Sequence, residues 1–208
     1  MLRGVAVTAA VAALLFVAGC SSHSDGSGGA NEAPDGFPAC PQAVAPGLTQ
    51  SASPPPASGD SSSRRLLPDL SLRCMDGSGA LFPLRRDVGV PMVINLWGSW
   101  CAPCGKELPA FVALDRAAGS RLVVMGVVTE DSATRAKEAA LELDVEFPNV
   151  YDRSGELRRA LGVNALPVTL FVTATGELRE LYAGPVLDVD ALRQKVSRQL
   201  GVELGAQR

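Results

Sequence analysis

The chain has 208 residues, of which 47% are hydrophobic and 20% charged, and its formal net charge is −3. This length suits one domain of ordinary size together with terminal extensions. The weakly acidic balance provides no basic patch, so the composition does not indicate nucleic-acid binding.

The N-terminus has the pattern of a secretion signal. A positive charge at Arg3 precedes an apolar stretch over 5–18, which is shorter than the ~18–20 residues that a membrane-spanning helix needs. The stretch ends in Val17-Ala18-Gly19-Cys20 and resembles a bacterial lipobox. That resemblance implies a signal peptide at 1–19 and a diacylglyceryl group on Cys20; ordinary secretion with cleavage nearby is the alternative. Both place the mature protein outside the cytoplasm, where disulfides persist.

The composition changes twice after the signal. Residues 20–63 are rich in Ser, Gly, Pro and Ala, and such a segment cannot bury enough apolar surface to fold, so it is predicted to be a tether. Residues 64–204 are dense in Leu, Val and Ala, which predicts one domain with one core.

The predicted elements of this domain alternate between strands and helices. In chain order they are a strand at 70–72, a turn at 77–79 and a strand at 81–82, a buried strand at 92–96, a helix at 103–118, a buried strand at 122–128, a helix capped by Asp131 or Ser132 and ending near 143, a short helix at 155–161, a hairpin of strands at 168–172 and 178–182, and a last helix at 188–200. Apolar strands covered on both faces and a final hairpin predict an α/β fold with a mixed central sheet flanked by helices.

Two cysteines follow the first buried strand directly, in Trp100-Cys101-Ala102-Pro103-Cys104. A strand-to-helix junction places Cys101 at a helix N-terminus, where unpaired N–H groups and the helix dipole favour a thiolate. A thiolate of low pKa attacks disulfides, and a second thiol close behind resolves the mixed disulfide. The motif therefore predicts thiol–disulfide exchange.

Half of a zinc site and a purely structural disulfide are the other interpretations of this motif. Zinc usually needs four ligands in two close pairs, yet the sequence has no second Cys-x-x-Cys, and its only histidine, His23, lies in a Ser/Gly tract. Structural bridges rarely lie at a strand-to-helix junction. We therefore expect no metal site, and no cofactor besides a redox-active disulfide.

The domain resembles the TlpA/ResA family of thioredoxin-like proteins over roughly residues 66–200. Two separated motifs carry the resemblance, at 93–109 and 161–169, and the segment around 146–155 is similar to an insert of that family. The resemblance implies a thioredoxin-like fold with an N-terminal β-hairpin extension and a central strand–helix insert.

The same resemblance implies roles for the residues of the first motif. Cys101 is the expected nucleophile and Cys104 the resolving thiol. Trp100 is expected to bind substrate. Trp97 either shields the site together with Trp100 or packs in the core.

In the second motif, Leu166 and Pro167 are expected to bind substrate as well. The family places a cis-proline at Pro167, facing the disulfide, which leaves the backbone around Leu166 free to pair with a substrate like an added strand. From the sequence alone, Pro167 could merely begin a strand in the trans form.

Asn95 and Glu107 depart from ordinary thioredoxin, which has a buried aspartate in place of Asn95. Asn95 cannot act as a base. Glu107 lies one turn after Cys104, and the TlpA/ResA family has a glutamate there, so the resemblance implies that Glu107 takes a proton during exchange. The alternative is a solvated glutamate paired with a lysine or arginine.

Cys40 and Cys74 are the two cysteines that have no role so far. In an oxidising compartment, an even number of remaining cysteines suggests a disulfide. Cys74 shares the inward parity of Leu72 in its predicted strand, so a bridge to Cys40 would join the tether to the domain. Two free thiols or a second redox pair are the alternatives.

These observations predict a membrane-anchored, extracytoplasmic oxidoreductase that reduces disulfides in protein substrates. The Ala102-Pro103 pair lacks the histidine of strongly oxidising DsbA-like proteins, which favours a reductase. The resemblance implies electrons from a membrane thiol carrier of the CcdA/DsbD type, and apocytochrome c as a target. A disulfide-forming oxidase or isomerase, a peroxiredoxin-like peroxidase and a non-catalytic partner-binding lipoprotein are the alternatives.

Overall fold

The structure is a computed structural model, and it describes residues 36–42 and 65–204. The predicted signal peptide at 1–19, the predicted lipidation site Cys20 and most of the predicted tether lie outside these residues. Within the described ranges, no helix is long and apolar enough to cross a membrane.

The described chain forms one seven-stranded sheet with four α-helices. The strands are β1 (Ser71–Cys74), β2 (Leu81–Pro83), β3 (Met92–Trp97), β4 (Val123–Thr129), β5 (Asn149–Asp152), β6 (Val168–Val172) and β7 (Leu178–Tyr182), and the helices are α1 (Ala102–Ala118), α2 (Ala133–Glu142), α3 (Glu156–Ala160) and α4 (Val189–Leu200), with a 3-10 turn at Gly119–Arg121. Their order in the sheet is β2-β1-β5-β4-β3-β6-β7. β3, β4 and β5 run parallel, whereas β6 is antiparallel to β3. The predicted mixed α/β sheet is confirmed.

The N-terminal hairpin and the central insert of the predicted fold are both present. β1 and β2 form the hairpin, and β1 also pairs with β5 in antiparallel register. The insert is β5 followed by α3, whose start is stabilised because the Asp152 carboxylate accepts from the N–H groups of Glu156 and Leu157 at 2.8 and 3.1 Å.

β3 lies between β4 and β6, and all six of its residues are buried. Successive side chains of a strand point to opposite faces of the sheet. Val93 and Trp97 accordingly join the apolar cluster formed with α1 and α4, whereas Ile94 and Leu96 join the cluster on the other face. Asn95 shares the parity of Val93 and Trp97, which places this polar residue beneath α1.

Residues 36–42 lie against the domain although they belong to the predicted tether. Phe37 is buried in the α1-side cluster, and Cys40 is buried in the other cluster. The predicted tether therefore packs against the domain at these seven residues, because the Phe37 and Cys40 side chains are buried in the two apolar clusters.

Candidate active site

The cysteine motif occupies the junction between β3 and α1, and α1 begins at Ala102, one residue earlier than predicted. Cys101 is the N-cap of α1, with an extended backbone, and its Sγ accepts a hydrogen bond from the Cys104 N–H at 3.2 Å. Pro103 is compatible with this first turn because the N–H that it lacks has no partner within the helix. The sulfur of Cys101 thus lies at the positive end of the helix dipole.

Cys101 and Cys104 are joined by a disulfide, with their Cα atoms 5.3 Å apart. Cys101 is 5% exposed and Cys104 is 0% exposed, so an approaching sulfur can reach only the first cysteine directly. The division of roles, in which Cys101 attacks and Cys104 resolves, stays a prediction.

Trp100 is held at the surface by the loop that follows β4. The residue is 52% exposed, and its Nε1 donates to the carbonyl oxygen of Glu130 at 3.1 Å. The neighbouring Ser99 donates through its N–H and its hydroxyl to the buried carboxylate of Asp131. The indole ring is therefore presented to solvent beside the disulfide in a defined orientation.

The sequence predicts Asp131 or Ser132 as the cap of α2, and in the structure the cap is Ser132. Asp131 instead anchors Ser99, which is 32 positions away in the chain. No local pattern predicts such a contact, because it depends on β3 and β4 ending side by side.

Trp97 packs in the core, which settles the choice that the sequence left open. It is fully buried in the same cluster as Cys101 and Cys104, and its Nε1 donates to Asn149 Oδ1 at 2.9 Å. Gly126 makes this contact possible, because a Cβ at that position would collide with the Asn149 side chain.

The peptide bond between Leu166 and Pro167 is cis, as the resemblance implied. Val168, the first residue of β6, pairs with Leu96 near the end of β3. The cis bond therefore lies at the end of the sheet where β3 leads to Cys101. Leu166 is partly buried and contacts both apolar clusters. Both residues thus lie on the side of the domain that carries the disulfide.

Glu107 is 1% exposed, which contradicts the alternative of a solvated glutamate. Its Oε2 accepts from Asn95 Nδ2 at 3.0 Å, and its Oε1 accepts from the Leu187 N–H at 2.9 Å. Burial raises the pKa of Glu107, and these two hydrogen bonds act in the opposite direction. Sequence reasoning missed Leu187, because a backbone N–H carries no sequence signal.

Cys40 and Cys74 form a second disulfide, with Cα atoms 6.0 Å apart and a sequence separation of 34. Both belong to the apolar cluster on the opposite face of the sheet from Cys101 and Cys104. Over residues 36–42 and 65–204, no group of three metal-ligating side chains lies together.

Comparison with known proteins connects this site to one family. The profile of the AhpC/TSA family matches residues 64–181, which is more than half of the chain and includes the cysteine pair. The thiol:disulfide interchange protein DsbE of Pseudomonas fluorescens is 34% identical over 106 residues, which are 49% of this chain and 56% of that protein. The thiol-disulfide oxidoreductase ResA of Geobacillus thermodenitrificans is 27% identical over 124 residues, which are 59% of this chain and 70% of that protein.

A solved structure of a thioredoxin is also similar to this chain. The exposed lipoprotein thioredoxin Etrx1 of Streptococcus pneumoniae is 29% identical, with a TM-score of 0.53, over 62% of this chain and 98% of that one. The chain therefore belongs to the AhpC/TSA family, as a thioredoxin-like thiol–disulfide oxidoreductase similar to ResA.

Proposed function

We propose that this chain is a membrane-anchored, extracytoplasmic oxidoreductase that reduces disulfides in protein substrates. The observation that carries the proposal is the Cys101–Cys104 pair at the start of α1, with the buried carboxylate of Glu107 one turn behind it. The predicted lipobox at Cys20 supports the anchor. The similar Etrx1, described as an exposed lipoprotein, supports the same location.

The proposed reaction begins with both cysteines reduced. The Cys101 thiolate attacks a substrate disulfide, so that one Cys101–substrate bond forms while the other substrate sulfur leaves as a thiolate. Cys104 then loses its proton and attacks the Cys101 sulfur, which releases the second substrate thiolate. The substrate gains two electrons, and the pair ends as the disulfide.

Glu107 is the proposed acceptor of the Cys104 proton. An ordinary carboxylate is a weak base towards a thiol, because the pKa of a carboxyl group lies well below that of a thiol. A raised carboxyl pKa makes this difference smaller and the proton transfer easier. Glu107 combines such a raised pKa with a place one helical turn from Cys104. Asn95, which cannot accept a proton, serves it as a hydrogen-bond donor.

Substrates are proposed to bind across Trp100 on one side and Leu166 and Pro167 on the other. The exposed ring offers apolar contact, and an extended segment can pair with the backbone at Leu166 like an added strand. From the family resemblance, we propose a membrane thiol carrier of the CcdA/DsbD type as the electron source and apocytochrome c as one substrate. No cofactor besides the cysteine pair enters this proposal.

The reduction potential of the Cys101–Cys104 pair, measured by titration with glutathione, tests the direction of the reaction. A reductase is expected to have a potential near that of thioredoxin, about −270 mV, whereas a value near about −120 mV would indicate an oxidant of the DsbA type. An insulin reduction assay on the wild type and on Cys101→Ser separates an enzyme from a non-catalytic binding protein. Turnover of peroxide would instead indicate a peroxidase.

A further inference from the structure

A pair of buried polar residues lies side by side under α1. Asn95 of β3 and Thr169 of β6 are directly opposite each other in the antiparallel register, and they are 0% and 1% exposed. Opposite residues on one face of such a pair have Cβ atoms about 4.5–5.5 Å apart. The two side chains are therefore neighbours on the face of the sheet that α1 covers, where Asn95 also contacts Glu107.

Each member of this pair has an unused polar atom. Asn95 Nδ2 donates to Glu107, but Asn95 Oδ1 has no hydrogen-bond partner, and neither has Thr169 Oγ1. Such buried atoms are costly when unpaired, and their chemistry is complementary, because a hydroxyl donates and an amide oxygen accepts. Their place on directly opposite residues of paired strands brings the two groups near each other.

We propose that Thr169 is a positioning residue whose hydroxyl donates to Asn95 Oδ1, directly or through one water, and thereby keeps the Asn95 amide nitrogen against the Glu107 carboxylate. Without this donor, the Asn95 amide is free to turn its oxygen towards Glu107, which repels the charged carboxylate. The proposal deepens the proposed function, since it rests on Glu107 as the proton acceptor.

Among residues 36–42 and 65–204, two groups besides Asn95 lie near Glu107. Leu187, from the loop before α4, contributes its N–H, and Cys104 lies one turn earlier on α1. None of the ion pairs formed among the described residues includes Glu107. The hydrogen bond from Asn95 is thus one of two that favour the charged carboxylate. Its loss should produce a measurable rise in the Glu107 pKa.

The test measures the pKa of Glu107 directly, in the full chain with both disulfides formed. Carboxyl carbons of 13C-labelled glutamate are titrated by NMR, and the Glu107 signal is assigned by its absence in Glu107→Gln. Thr169→Val removes the hydroxyl at nearly constant shape, whereas Thr169→Ser retains it. Thr169→Ala is a second variant without the hydroxyl, in case valine impairs folding.

Loss of the hydroxyl should raise the Glu107 pKa by about 1–2 units, the shift that corresponds to the loss of one hydrogen bond to a charged group. Thr169→Ser should restore the wild-type value. The pH profile of insulin reduction should move in the alkaline direction in Thr169→Val, and this movement should be absent when Glu107→Gln is added.

The possible results separate the two proposals. If Glu107→Gln slows exchange but Thr169→Val and Thr169→Ala leave the Glu107 pKa unchanged, the role of Thr169 is refuted and the proposed function stands. If Thr169→Val raises the pKa while Glu107→Gln leaves exchange unchanged, Thr169 does position the carboxylate, but Glu107 is not the base.

Discussion

The carboxylate of Glu107 accepts a hydrogen bond from the backbone N–H of Leu187 at 2.9 Å, across 80 positions of sequence. This bond connects α1 to the loop before α4, whose N-cap, Asp188, is the next residue. Asn95 holds the same carboxylate from β3. Burying an ionisable carboxyl group lowers the stability of the fold. Acids with perturbed pKa values concentrate at functional sites, so this arrangement favours a functional role for Glu107.

Replacing Glu107 with glutamine should slow exchange without unfolding the domain. The substitution retains size and removes the base, and the glutamine oxygen can accept one of the two hydrogen bonds that the carboxylate accepts. General bases typically contribute about 10²–10⁴-fold to rate. We expect insulin reduction to fall at least about tenfold, with an altered pH profile. The pKa of the nearby thiol, measured by alkylation rates, should fall because a repelling charge is lost.

Glu142→Gln is the matched control, since Glu142 is an exposed glutamate on α2. It should leave both the rate and the thiol pKa at wild-type values. Wild-type exchange rates and thiol pKa values in Glu107→Gln would show that the buried carboxylate has only a packing role.

The buried acid should also make stability depend on pH in a specific direction. The folded-state pKa of Glu107 lies above its ordinary value of 4.5, so the folded protein loses stability as pH rises through the folded pKa. Glu107→Gln does not titrate and escapes this loss. The Tm of the variant minus that of the wild type should therefore be larger at pH 8 than at pH 4.

Calorimetry of the oxidised proteins at the two pH values checks this difference. Each kcal/mol corresponds to about 4 °C for a domain of this size. Asp115 and Asp152 also have raised pKa values, but they are common to both proteins and cancel in the comparison. A difference in Tm that is larger at pH 4 would contradict the prediction.

The two active-site cysteines should behave differently when each is replaced by serine. Cys104→Ser should accumulate mixed disulfides between Cys101 and substrates, because nothing remains to resolve them. Cys101→Ser should trap almost none, since Cys104 is fully buried. Non-reducing gels after incubation with oxidised insulin measure the mixed disulfides of both variants. Equal trapping by the two variants would contradict the assignment of Cys101 as the nucleophile.

Removing the second disulfide should lower stability and leave the chemistry intact. Cys40→Ala with Cys74→Ala opens a loop with a sequence separation of 34, for which the chain-entropy model gives about 3–4 kcal/mol of unfolding free energy. The reduction potential of the Cys101–Cys104 pair should stay unchanged, because the bridge lies on the other face of the sheet. Urea unfolding and the glutathione titration measure these quantities.

Either of two results would contradict a structural role for this bridge. One is unchanged unfolding free energy in the double variant. The other is loss of insulin reduction while stability is retained, which would indicate a second redox pair.

Cys20→Ala tests the predicted lipid anchor. One substitution removes both the lipid attachment site and the cleavage signal, so the variant should remain unprocessed or become soluble. Detergent phase partitioning, with the size read from a gel, measures the outcome, and Ser22→Ala serves as the control. A mature-sized Cys20→Ala protein in the detergent phase would disprove the lipoprotein prediction.

The sequence by itself determined the elements around the cysteine pair. β3 is a short apolar run interrupted only by Asn95, and α1 has an apolar stripe of helical period, so local patterns are enough to place Cys101 between a strand and a helix. The same periods predicted the final hairpin and the helix after it. These features depend on neighbours in the chain, which the sequence shows directly.

Only the tertiary structure decided what surrounds Glu107. Its spacing from Cys104 identifies a helix face, but not whether solvent or another element covers that face. The answer depends on Asn95 and Leu187, which reach it from a strand and a loop distant in sequence. Likewise, Thr169 lies opposite Asn95 only because β6 runs antiparallel to β3 in one register. Strand order and register arise from packing of the whole sheet, so no local pattern contains them.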